Sequence, residues 1–144
     1  MNKPKSEADR NVMATIFTKI IRGEIPCHKV VESDDHIAFL DINPIAEGHT
    51  LVVPKQEVDY FFDLPDELYR ETMEFSRIIA RAIDKALEPL RTGIIVQGLE
   101  VPHAHLHLIP LYKTRQVMAL GHNVEVTEER MEELAQLIAA EVEL

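Results

Sequence analysis

The stretch HAHLHLIP, residues 103–110, decides how the rest of this chain is read. Its apolar run with alternating character predicts a β-strand, and strand side chains alternate between the two faces of a sheet. His103, His105 and His107 are therefore expected on one side, about 6.5 to 7 Å apart, with Ala104, Leu106 and Leu108 on the other. One face of this strand is core and the other is a row of imidazoles. Upstream, Gly98 to Pro102 reads as a short turn and GIIVQ (93–97) as a partner strand.

Further out, the texture separates into strand-like and helix-like segments. HKVVE (28–32), HIAFL (36–40) and TLVVP (50–54) are short β-rich runs, with a turn at Ser33–Asp35 and a loop over DINPIAEGH (41–49). From Pro65 to Leu87 the apolar positions Leu68, Thr72, Phe75, Ile79, Ala82 and Ala86 recur at alternating spacings of four and three, which predicts a long central helix ended by Pro89. A short helix over 16–22 is bracketed by Thr15 as N-cap and Gly23 beyond its end. A last helix over 128–142 is capped by Thr127 and striped by Met131, Leu134, Ile138 and Val142. The order α β β β α β β α with short connections predicts an α+β fold on an antiparallel sheet. Residues 1–12 lack periodicity and read as an extension, with Met13 a candidate second start and 13–144 a single domain.

Composition narrows the function. With 15 basic and 25 acidic side chains the net charge is −10, which opposes broad binding to nucleic acid. No apolar run approaches the ~18 residues of a membrane span, and the polar, mixed-charge start predicts a cytoplasmic protein. Cys27 is the sole cysteine, so an internal disulfide or a cysteine-based metal cluster has too few ligands.

Four readings of the histidines compete. They could be an inert solvent-facing row. They could bind a metal, although three same-face residues on one strand span over about 13 Å and cannot all reach one ion, leaving two of them with His49. They could perform nucleophilic catalysis on phosphorus, since neutral imidazole is a good nucleophile near pH 7 and ring N–H groups can hold a phosphoryl transition state. Or the same pocket could bind a nucleotide without turnover.

HAHLHLIP resembles the signature of the histidine triad (HIT) family of nucleotide hydrolases and transferases. IFTKIIRGEIPCHKVVE (16–32) and IAFLDINPIAEGHTLVVPK (37–55) resemble two further stretches of the branch containing the histidine triad nucleotide-binding proteins. The resemblance implies a homodimer whose five-stranded sheets join into one of ten strands, and a purine nucleotide substrate. It implies that His105 is the nucleophile, that the His103 carbonyl fixes its tautomer, that His107 donates to the phosphate and that His49 supports the triad. Asp41 matches the ribose-binding carboxylate; Ile16, Phe17, Ile20, Phe39 and Ile42 match the slot for the base, and Gln97 stands near an asparagine that contacts phosphate. The activity so implied is release of a nucleoside monophosphate, AMP, from a phosphoramidate or related anhydride through a nucleotidyl-histidine. The alternatives are a weakly catalytic nucleotide-binding module and, third, a metal-dependent hydrolase. The chain departs from the family before the triad, where 97–102 is short and carries Glu100 in place of phosphate donors. It also has Glu57 near a usual histidine, and Thr15 and Thr18 where some members have zinc-binding cysteines, so neither a metal nor a cofactor is expected.

Overall fold

A computed structural model describes residues 14–144; the expected extension over 1–12, and Met13, lie outside the described residues. The chain runs α1 (Ile16–Ile21), β1 (Lys29–Glu32), β2 (His36–Leu40), β3 (Thr50–Pro54), a 3-10 turn (Phe61–Asp63), α2 (Asp66–Leu87), β4 (Arg91–Ile95), β5 (Leu106–Leu111) and α3 (Glu128–Ala139). The five strands form one antiparallel sheet in the order β1-β2-β3-β5-β4. This is the α+β architecture read from the sequence.

Both predicted caps form: the Thr15 and Thr127 hydroxyls accept from the Thr18 and Arg130 amides, satisfying donors that a helix start leaves unpaired. Helix α2 buries Thr72, Phe75, Ser76, Ile79, Ala82 and Ile83. Full burial of Ile79 or Ile83 contributes roughly 1.5 to 3 kcal/mol each. Together with α3 this helix covers one sheet face, the side of Ala38, Leu40, Val52, Leu106 and Leu108. The other face carries Ile37, Phe39, Leu51 and Val53 and is covered by Phe17 of α1. Among the described residues no helix is long and apolar enough to cross a membrane.

The structure corrects three boundaries. The β5 ladder begins at Leu106, so His103 and His105 precede it instead of standing on a regular strand. Pro102 contributes no N–H, and the His103 amide turns back to the Val101 carbonyl at 2.8 Å, which keeps this segment out of the sheet. Strand β4 covers Arg91–Ile95, two residues earlier than GIIVQ suggests. Helix α3 stops at Ala139, leaving Val142 to pack against the core from beyond its end.

Candidate active site

Sheet parity brings the candidate residues together. Phe39, Leu51, His107 and Ile95 are successive cross-strand partners over β2, β3, β5 and β4. Side chains in such a row share a face, here the face away from α2 and α3. Asp41 and His49 extend β2 and β3 by two residues from Phe39 and Leu51 on that same parity. His36, in contrast, is buried on the α2 side, where its Nε2 lies 2.8 Å from the Thr72 hydroxyl and its ring stacks on Phe75.

The hydrogen-bond partners assign the ring protons. His105 Nδ1 lies 2.7 Å from the His103 carbonyl, which can only accept, so Nδ1 carries the hydrogen and Nε2 keeps a bare lone pair. The Ile45 amide donates to His49 Nδ1 at 3.1 Å, which places the His49 proton on Nε2. That proton faces His107 Nδ1 at 2.9 Å, so His107 carries its own hydrogen on Nε2. His103 donates from Nε2 to the Pro54 carbonyl at 2.8 Å, and its Nδ1 faces the Thr15 hydroxyl at 2.9 Å. The site thus pairs one bare nitrogen, on His105, with one N–H donor, on His107, their rings 5.0 Å apart.

Burial keeps these imidazoles neutral. It lowers His103, with the Pro54 carbonyl and Glu57 opposing, and lowers His105, with the His103 carbonyl opposing. Burial pushes His49 down to about 4. His107 is pushed to about 3 by burial, reinforced by His105 and His49. Charged imidazolium loses its hydration in such a place, and this loss outweighs the neighbouring acceptors and carboxylates that favour the charge.

A cavity of about 240 Å³ opens beside His105 and His107. All the residues expected to form the base slot line it, Ile16, Phe17, Ile20, Phe39 and Ile42, together with Asp41 and Gln97. Phe17 meets His105 edge-on at 4.8 Å and Phe39 at 5.7 Å, forming an apolar wall of interlocked rings. Asp41 accepts from the Asn43 amide at 2.8 Å, and its other oxygen lies 3.5 Å from His49 Nε2. Burial raises its pKa, the Asn43 amide opposes this, and Glu100 across the cavity raises it further. Among the described residues, no lysine or arginine lines the cavity.

Sequence reasoning missed Ile25, Pro26, Cys27 and Leu51 as cavity walls, because an apolar residue beside a strand reads equally well as core. It also missed the Ile45 amide and Pro54 carbonyl, which are main-chain groups with no sequence signal. Among the described residues, the one cluster able to converge on a metal is Asp41, His49 and His107, with donor atoms within 4.8 Å. Its hydrogen bonding disfavours that use, because the Ile45 amide holds the His49 proton on the nitrogen that would have to bind.

The chain is similar to known proteins over most of its length. The chain is 36% identical over 116 residues to an adenosine 5′-monophosphoramidase of Saccharomyces cerevisiae, covering 80% of this chain and 73% of the relative. It is 34% identical over 110 residues to the adenosine 5′-monophosphoramidase of Schizosaccharomyces pombe, covering 76% and 81%. A crystal structure of a HIT-like protein from Bartonella henselae superimposes with a TM-score of 0.81 at 34% identity, covering 90% of this chain and 96% of that one. The HIT domain model matches residues 22–114, and with the triad at its end the chain belongs to the HIT family.

Proposed function

We propose that this chain is a nucleotide phosphoramidase or related nucleotidyl hydrolase, acting in the cytoplasm as a homodimer and releasing AMP from a P–N, acyl-phosphate or P–O–P bond. The observation that carries the reading is the His105 ring, with Nδ1 tied to the His103 carbonyl and Nε2 bare beside the apolar cavity. In the first step the Nε2 lone pair forms a bond to phosphorus while the bond to the leaving group breaks, and the leaving group takes up a proton from solvent. The positive charge gained by the ring is met by the His103 carbonyl. In the second step water attacks phosphorus, the P–Nε2 bond breaks, and His105 returns neutral as the water proton departs. His107, donating from Nε2, holds a non-bridging oxygen through both steps. Asp41 would accept from ribose hydroxyls at the mouth of the slot.

Two features of the surface support the dimer. Strand β4 is a sheet edge, and Ile94 and Val96 on and beside it are exposed, as are Tyr69 and Met73 on α2. A second reading, a nucleotide-binding module with weak turnover, is favoured by Glu100, an anion lining a cavity to which no described lysine or arginine contributes. The deciding experiment is AMP release from adenosine 5′-phosphoramidate with EDTA present, followed by phosphorus NMR. Turnover supports the hydrolase; AMP binding without turnover of any nucleotide ester or amidate supports the module.

The depressed histidines set the pH dependence. His105 must be neutral to attack, and its pKa lies below the ordinary value of about 6.5, so the rate should stay level from about pH 8 to below pH 6.5. It should fall only as acidification reaches the lowered value. Stability follows the same sign: in the unfolded chain His49 and His107 take protons near pH 6.5, whereas folded they wait until about 4 and about 3. Stability is therefore full above about pH 6.5 and is lost as pH falls toward those values. Initial rates and melting curves over one buffer series test both. A half-maximal rate at or above pH 6.5 would contradict a buried, neutral nucleophile.

A further inference from the structure

The nucleophile's segment lies outside the sheet ladder, so strand pairing does not fix where His103 and His105 stand. What holds them is a contact with the segment after β3 and with the start of α1. The Ala104 amide donates to the Val58 carbonyl at 2.6 Å. One residue before Val58, Glu57 Oε1 accepts from the Thr15 amide at 3.0 Å and from the Thr18 hydroxyl at 3.0 Å. With the Thr18 hydroxyl committed to Glu57, the Thr15 hydroxyl is free to donate to His103 Nδ1 at 2.9 Å while accepting from the Thr18 amide at 3.1 Å. The directions are fixed from both ends: the Glu57 carboxylate can only accept, and His103, donating from Nε2 to the Pro54 carbonyl, can only accept at Nδ1.

Burial opposes the ionisation of Glu57, but the Thr15 amide, the Thr18 hydroxyl and His103 outweigh it and hold its pKa below the ordinary carboxylate value. Helix α1 has six residues, too few to be stable alone, so this carboxylate and the packing of Phe17 are what seat it. The same helix supplies the apolar wall against His105. We propose that Glu57, acting through Thr15 and Thr18, is a positioning residue that locks the His103 ring and with it the carbonyl that orients His105. The catalytic consequence rests on the proposed hydrolase activity; the structural one does not.

Without Glu57, the Thr18 hydroxyl is left 3.3 Å from His103 Nδ1 and 3.2 Å from the Thr15 hydroxyl, and competes for both. Glu57→Ala should lower kcat on adenosine 5′-phosphoramidate about 10- to 100-fold, the scale of a displaced reacting group, with KM within about threefold. Nitrogen-15 NMR of the rings should then show mixed tautomers at His105 in place of one. Glu57→Gln keeps an oxygen that accepts from the same two donors, and should restore kcat to within about threefold and the single tautomer. Wild-type kcat and ring signals in Glu57→Ala, or a Glu57→Gln protein as slow as Glu57→Ala, would overturn the assignment. Should Glu57→Ala fail to fold, Thr15→Val removes the hydroxyl through which Glu57 reaches His103; wild-type kcat and ring signals in that protein overturn the assignment equally. A wild-type protein without turnover would sink the hydrolase reading, while the ring tautomers would still decide the role of Glu57.

Discussion

Replacing His105 by alanine is expected to lower kcat by at least about 10⁴-fold while nucleotide affinity stays within about tenfold. The reasoning is differential: Nε2 of His105 bonds to phosphorus only during the reaction, whereas the base slot is built by Phe17, Phe39 and their neighbours and survives the truncation. Loss of the ring also removes its edge contact with Phe17, which is the source of the allowed affinity change. Turnover with phosphoramidate and AMP titration by calorimetry, on the same preparation, separate the two effects. Retained turnover in protein free of contaminating phosphatase would remove His105 from the nucleophile's place.

Gly48→Ala is expected to destabilise the fold by about 2 to 5 kcal/mol. Gly48 sits at φ +87°, where an L side chain costs roughly 1 to 2 kcal/mol. A Cβ there would also collide with Leu87 Cδ1 at the end of α2 and press on Pro110 Cγ at 3.1 Å, and overpacking of a tight site adds about 1 to 3 kcal/mol. Gly23 provides the control: its φ is +79°, but a Cβ would meet nothing within 4 Å, so Gly23→Ala should cost only the backbone share. Denaturant titration of both variants measures the difference directly. A Gly48→Ala protein no less stable than Gly23→Ala would show that the turn before His49 can relax. Because His49 follows at once and donates to His107 Nδ1, the variant should also lose activity in its folded fraction.

Much of this was legible in the sequence, and the reasons differ by element. Helix α2 announced itself because its buried stripe is long and regular, and the caps at Thr15 and Thr127 because serine and threonine hydroxyls have a specific task at helix starts. The grouping of Asp41, His49 and His107 follows from parity once the strands are placed. What the alternation of HAHLHL did not reveal is that only His107 stands within the sheet ladder. Periodicity reports which way side chains point, and a segment held by a few specific hydrogen bonds can keep that alternation without strand pairing. The Glu57–Thr15–His103 chain was illegible for another reason: its members are 42 and 88 residues apart, and nothing local marks a glutamate as their partner.

The two arms that fix His105 and His107 end on main-chain groups, the His103 carbonyl on one side and the Ile45 amide on the other. A side chain can be exchanged by any single mutation; a carbonyl cannot, and an amide N–H is lost only to proline. The acid–base polarity of the pocket, acceptor at one ring and donor at the next, is therefore inherited from the path of the backbone. Variation in the cavity walls can redirect which substrate enters, and the sense of proton placement stays the same as long as the chain keeps its turns at 45 and 103.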